Sequence, residues 1–459
     1  MKKKKGFIFG AVIVALGGFL SKLIGAFYRI PLTNLLGGEG IGLYQLIFPV
    51  YCILLDFSSV GVPTALSKLI AERRARGEEE EGTHLLQASF RLLLLLGVTG
   101  SIALFCFSDF LANAQGNPLA APSYRALAPA VFFVSAISCF RGYFQGKSRM
   151  FPTASSQVIE QVVKLGAGLL FVRLLLPDLS LSAAGAAAAV TVSECAAALY
   201  LGVLYLFSAR GERKVAFDRA RFPADVASVL SLSVPVALAG ILLPLSQTAD
   251  SFLIVNLMRA YTDRATALYG IYTGSVLSVV NLPVAICYGV AVAAVPYVSG
   301  GKGAESGKNA RLALSLTALL SVPAALACLF GAEFAMSVLF SRLPDADRAL
   351  AAGLLRAMSP AVVTLSLLQT TNSALVGAGR ARVPVLTMGI GVLVKTALTL
   401  ALLPLPAFGI YGAAIAANAC YLVAVIFNLM YTLKKEKKAA LPEAEPIPAG
   451  RKLPGGAEP

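Results

Sequence analysis

The sequence has no tryptophan and a single histidine, and only 14% of its 459 residues are Asp, Glu, Lys or Arg. With His84 alone, neither an imidazole-based metal site nor a His-dependent triad can be assembled. Seven cysteines are scattered through apolar stretches with no CxxC pair or metal-ligand spacing, so they read as small core residues. GxSxG, HExxH and the P-loop pattern GxxxxGK followed by Ser or Thr are all absent, leaving no recognisable route to covalent catalysis, zinc hydrolysis or ATP binding. The chain is therefore expected not to be an enzyme. The only cofactor left open is a coupling Na⁺ or H⁺.

What is abundant is apolar: 57% of residues are hydrophobic, too many for a soluble protein of ordinary composition. A window of about 20 apolar residues predicts twelve membrane spans, at 7–36, 42–70, 85–108, 124–145, 153–176, 182–207, 225–257, 268–298, 310–331, 354–377, 383–404 and 411–433. The net charge of +15 does not point to nucleic acid, because the basic residues gather in alternate loops. Lys2–Lys5, the Arg73–Arg76 loop, Lys147 with Arg149, the 208–223 segment, Lys302–Arg311, Arg380 with Arg382 and the terminal KKEKK all fall on one side. This pattern predicts a multi-pass protein with both termini cytoplasmic. No small-residue cleavage site precedes Lys22, so the first apolar run is read as an uncleaved span. The acidic run Glu78–Glu81 lies beside basic residues and reads as a solvated loop or a partner site. Residues 434–459 are expected to form a disordered cytoplasmic tail.

The first span carries Lys22 and Arg29 inside its apolar stretch. Seven residues apart, they lie on nearly one helix face, roughly 10 Å apart along the axis. A cation in hydrocarbon costs at least roughly 2.5–3.5 kcal/mol, so such residues normally face a bundle interior or a wet cavity. Either this face lines a polar path, or Arg29 snorkels outward while Lys22 pairs with a carboxylate elsewhere. Gly25 and Pro31 would allow the helix to bend or another group to come close.

An internal repeat organises the rest. Pro129 aligns with Pro360 and Lys164 with Lys395 at one offset of 231 residues, while Gly185 and Gly412 open similar Ala-rich helices. The expected fold is all-α, two pseudo-symmetric six-helix bundles in parallel repeat around a central cleft. The first bundle would span 1–207 and the second 224–433, joined by a cytoplasmic linker at 208–223. Such a pair can alternate access by rocking.

Further polar residues fall inside the spans. Glu160 and Lys164 stand at i,i+4 in the favourable order and are expected to pair, either as a structural lock or in contact with substrate. Lys395 has Gly391 where its repeat mate has a carboxylate, so it is either an unpaired cavity cation or a partner of Glu194 or Asp250. Asp250 with Gln247 offers oxygen ligands for a coupling cation, or else a counter-ion for the cationic first helix. Lys22, Arg29, Lys164 and Lys395 are thus the candidate anion-binding residues, and Asp250, Gln247, Glu160 and Glu194 the candidate ion-coupling or counter-ion residues.

FLSKLIGAFYRIPL at the first span, GVPTALSKLIAE at 61–72 and above all FRGYFQGKSRMFPTASSQVIEQVVK at 140–164 resemble the polysaccharide-exporter branch of the multidrug/oligosaccharidyl-lipid/polysaccharide (MOP) flippase superfamily. Within it the similarity points to the stage V sporulation protein B type, over residues 1–433. The resemblance implies translocation of undecaprenyl-pyrophosphate-linked sugars, lipid II above all, with roles in cell wall, cell shape or spore cortex. Implied partners are the lipid-linked glycan, membrane lipids and wall-synthesis proteins. In related flippases cations of the first helix hold the pyrophosphate; SKLIG places Lys22 on one of them, whereas Arg29 lies one residue beyond the second, where Tyr28 falls. Relatives usually carry fourteen spans, which leaves a side opening between the bundles as the expected route for the lipid tail. A multidrug or organic-cation antiporter on the same fold and a non-transporting scaffold of a wall-synthesis complex are the alternatives.

Overall fold

The computed structural model describes residues 2–56, 61–210, 216–300 and 304–439, and among these every regular element is helical. The first bundle comprises α1 (Lys2–Asp56), α2 (Val62–Ala75), α3 (Glu79–Cys106), the short α4 (Ser108–Ala114), α5 (Ala121–Gly146), α6 (Phe151–Leu175) and α7 (Leu179–Ala209). The second comprises α8 (Phe222–Gly240), α9 (Leu242–Met258), α10 (Ala265–Gly270), α11 (Leu277–Gly300), α12 (Ala304–Phe330), the short α13 (Ala332–Leu339), α14 (Asp345–Gly377), α15 (Arg382–Leu402) and α16 (Tyr411–Ala439). A π-helical turn, Ile271–Val276, joins α10 to α11.

Nine of the described helices are long and apolar enough to cross a membrane, and α8 with α9, bent by 53°, makes a tenth. α1 counts twice because its two limbs meet at Gly37, the one non-helical residue within it. The φ of 64° there is a conformation that a side chain would strain. Of the two roles open to Gly25 and Pro31, a bend or a close approach, the bend is made instead at Gly37, and Gly25 serves the close approach. α6 is the polar exception: Gln157, Glu160, Gln161 and Lys164 fall within about two turns. Counted this way the helices number twelve, and the outer faces are those of a membrane protein. Leu95, Ile102 and Phe105 on α3 and Leu312, Leu319 and Phe330 on α12 are exposed, a belt that only lipid would cover at low cost.

The two bundles meet in a tight seam at the end where α1 kinks. Gly38 and Gly42 of α1 both lie against Gly270, which stands 232 residues after Gly38, close to the offset of the internal repeat. A Cβ on Gly42 would overlap the carbonyl of Thr266, and one on Gly270 would overlap that of Gly38. Only glycine permits backbones so close. Hydrogen bonds flank the seam: Gln115 Nε2 donates to Ser251 Oγ at 2.9 Å, Asn117 Nδ2 to Thr266 Oγ1 at 2.9 Å, and Asn256 Nδ2 to the Ala114 carbonyl at 2.7 Å. Asn34 Nδ2 donates to the Leu339 carbonyl at 2.7 Å. The largest apolar cluster crosses the same seam, joining Leu32, Leu36 and Ile41 to Ile254, Ile271 and Phe340. This end of the cleft is closed.

At the opposite end α8 leans on α2 and α3 of the first bundle. Glu81, of the run expected to be a solvated loop or partner site, accepts from Arg221 Nη1 at 3.3 Å and also pairs with Arg73, fastening the start of α8 to the α2–α3 loop. The inter-bundle connection also stacks Phe217 on the Arg91 guanidinium, 3.6 Å away. Most of the expected tail, 440–459, lies outside the described residues; α16 itself continues to Ala439.

Candidate functional site

Between the bundles lies a cavity of about 370 Å³, and Lys22, Arg29 and Lys164 line it together. Among the described residues no carboxylate lines it. The seven-residue spacing turns Lys22 and Arg29 to one side of α1, while Tyr28, at the cavity's edge, is 2% exposed, its hydroxyl wedged against Gly168 of α6. That packing fixes the rotation of α1 and leaves Arg29 as the cation that reaches the cavity beside it. Lys22 Nζ sits 3.2 Å from the centroid of Tyr288, a ring supplied by α11 of the other bundle. Gly25 lets α6 approach, since a Cβ there would lie 3.1 Å from Gln161 Oε1. Asn281 and Gln369 complete the second bundle's wall with amides.

A second cavity of about 150 Å³ adjoins the first and shares Arg29, Phe48 and Asn281 with it. Its walls carry Gln45, Gln247, Asp250 and Thr273 beside Tyr269 and Tyr272. Arg29 therefore stands between a cationic compartment and one of amides, hydroxyls and aromatic rings.

The carboxylates are arranged differently from the sequence expectation. Glu160 does not pair with Lys164; its Oε2 accepts from Arg141 Nη2 at 3.2 Å and its Oε1 from Gln161 Nε2 at 3.0 Å. Arg141, on α5, also donates through Nε to Ser156 Oγ at 3.1 Å. Lys164 is left facing the cavity, with Glu160, Glu194 and Arg29 as its electrostatic neighbours. Glu194 is buried behind the cavity, where Tyr51 Oη donates to it at 3.4 Å. Arg141 and Lys164 formally balance Glu160 and Glu194, so Lys22 and Arg29 remain as a net charge of +2 in the cavity.

Lys395 takes the second of its two expected roles, as the partner of Asp250, and not the first. It lines neither described cavity; its ammonium pairs with Asp250 and donates to Ser246 Oγ at 3.2 Å. It is thus not an unpaired anion-binding cation, and Asp250 is not the counter-ion of α1. Sequence reasoning missed Arg141 and Tyr288. Arg141 carried a signal, being a cation one turn inside a predicted span; Tyr288 carried none, because its importance depends on a helix in the other half of the chain.

A family model described as polysaccharide biosynthesis protein matches residues 8–302. The chain belongs to that family. A second model, MatE, matches residues 235–400. Stage V sporulation protein B of Bacillus subtilis (strain 168) is 27% identical over 430 residues, covering 90% of this chain and 81% of that protein. Lipid II flippase MurJ of the same strain is 24% identical over 453 residues, covering 92% and 81%. Among solved structures, an inward-facing multidrug resistance MATE family transporter of the MOP superfamily aligns with a TM-score of 0.76 at 15% identity, covering 92% of this chain and 96% of that one. Lipid II flippase MurJ in an inward closed conformation aligns at 0.73 and 14% identity, covering 94% and 90%. This member of the polysaccharide biosynthesis family is therefore a multi-pass membrane protein with the two-bundle fold of these neighbours, and a lipid II flippase is among its relatives.

Proposed function

We propose that the protein is a flippase for undecaprenyl-pyrophosphate-linked sugars, with lipid II as cargo, working by alternating access in the bacterial cytoplasmic membrane. The observation that carries this reading is the inter-bundle cavity with three lining cations and no described lining carboxylate. A pyrophosphate diester has two negative charges, matching the +2 left by Lys22 and Arg29 once the internal pairs are balanced. Arg29 offers a planar fork for one phosphate, while Lys22 and Lys164 act as point charges. The adjoining compartment suits sugars, with amides for hydroxyl groups and Tyr269 and Tyr272 as apolar faces.

On the expected orientation, basic loops inside, both termini would be cytoplasmic and the sealed seam would face outside, the arrangement of a carrier closed to the exterior. Outward release requires the glycine seam to part. An organic-cation antiporter would have to bring its cargo past Lys22 and Arg29 against like-charge repulsion. The test is flipping of a fluorescent lipid II analogue in proteoliposomes, comparing the wild type with Lys22→Ala/Arg29→Ala at matched reconstitution. Flux by the wild type, lost in the variant, is expected; equal flux by both would overturn the site, and no flux by either would overturn the cargo.

A further inference from the structure

The membrane interior of a transporter lacking an ATP site invites the question of where a coupling cation would bind. Four described carboxylates lie within the spans near the bundle interface, and each already has a partner. Glu39, beside the seam, accepts from Asn117 Nδ2 at 3.2 Å. Glu160 is held by Arg141 and Gln161, and Glu194 by Tyr51 with Arg141 and Lys164 as neighbouring charges. Asp250 is held by Lys395.

The surroundings of Asp250 otherwise look like the beginning of a cation site. Gln247, Gln45 and Thr273 line the same small cavity, and Ser246 lies one turn before Asp250. Hard cations collect oxygen ligands of this kind. Yet the Lys395 side chain is 9% exposed, its ammonium lies on the carboxylate, and the same nitrogen takes Ser246 Oγ. A sodium ion at that carboxylate would stand directly against a fixed positive charge. The residues present therefore do not fit a bound Na⁺. No group of three or more His, Cys, Asp or Glu side chains is arranged to hold a metal elsewhere among the described residues.

We propose that Lys395 is a tethered cation. Its ammonium holds, on Asp250, the position that a diffusible coupling ion would otherwise take, so the second bundle keeps its buried carboxylate neutralised throughout the transport cycle and no sodium ion is carried. The internal repeat supports this assignment. Lys164, the mate of Lys395, also lies beside carboxylates, but in the first bundle Arg141 takes Glu160, so Lys164 faces the substrate cavity. In the second bundle the position matching Arg141 is Asn372, an uncharged amide that accepts from Asn428 Nδ2 at 2.7 Å, and the position matching Glu160 is Gly391. The ammonium of Lys395 turns to Asp250 instead. One lysine of the repeated pair is freed for substrate and the other is fixed as an internal ion. This division rests on the transporter reading above.

The test uses the purified full-length protein and melting followed by a thiol-reactive dye, for which buried Cys139, Cys287, Cys328 and Cys420 are reporters. Wild type should melt at the same temperature in sodium and in choline chloride at equal ionic strength. Lys395→Met should melt lower in choline, because Asp250 is left as an uncompensated buried charge, and sodium should raise it selectively. Lys395→Met/Asp250→Asn should recover in either salt. A sodium-selective rise in the wild type would overturn the proposal, as would a Lys395→Met melt that sodium does not raise. If the single variant does not fold, the wild-type titration and the double variant still decide. Lipid II analogue flux by the wild type should be equal in sodium and choline. Absent flux in both would count against the cargo and leave the melts to judge Lys395.

Discussion

Replacing Arg141 by methionine tests whether the charge arrangement behind the cavity is as the structure has it. The Arg141 and Glu160 side chains are 15% and 17% exposed, and the pair is joined at 3.2 Å. Removing one partner of a buried pair leaves the other uncompensated, at about 3–5 kcal/mol. Part of this is offset here, since Gln161 continues to donate to Glu160 and Lys164 stands one turn away. A net loss of about 2–4 kcal/mol follows. For a chain of this length that lowers the melting temperature by roughly 2–8 °C, scaling inversely with size from smaller domains. Arg141→Met/Glu160→Met should recover most of it, because two well-packed apolar side chains replace a buried ion pair at little cost. Glu72→Ala, which removes the exposed Lys68–Glu72 pair at 3.8 Å, is the control and should change the melt by about 1 °C at most. Arg141→Met should also slow flipping, by drawing Lys164 from the cavity onto Glu160. An Arg141→Met melt within about a degree of the wild type, or a double variant no better than the single, would refute this account.

Three further outcomes follow from the same geometry. Tyr288→Ala should weaken cargo binding by about 2- to 30-fold through loss of the Lys22 cation–π contact, while Tyr288→Phe should leave it near the wild type; the apparent KM for the lipid II analogue reads this. Gly270→Leu should pry the seam apart, so that in a cysteine-free background a Ser278→Cys cavity probe becomes labelled by an impermeant maleimide from outside; unchanged labelling would show that the seam is not the outer closure. Gly37→Ala should lower stability by about 1–2 kcal/mol through its positive φ, measured as a lower melting temperature, whereas Gly166→Ala, which meets open space on α6, should not.

The lengths of the apolar runs and the spacing of residues along them determined a great deal by themselves. Hydropathy marked the twelve helices, and the 231-residue offset marked two like bundles. The seven-residue interval placed Lys22 and Arg29 on one face. These are local properties, fixed by helix period and by the thickness of the membrane interior. The partners of the buried charges were not local. The i,i+4 rule pointed Glu160 to Lys164, but Arg141 reaches it from α5, and Asp250 meets a lysine 145 residues away. Nor did the sequence repeat show that Gly38 and Gly42 would both pack on Gly270, the symmetry mate of Gly38. Helix rotation and crossing, set here by Tyr28 against Gly168 and by backbones touching at glycine, decide which side chains share a dry interior. In that interior a charge must be matched by whatever group packing brings within reach, so the site was completed only by tertiary structure.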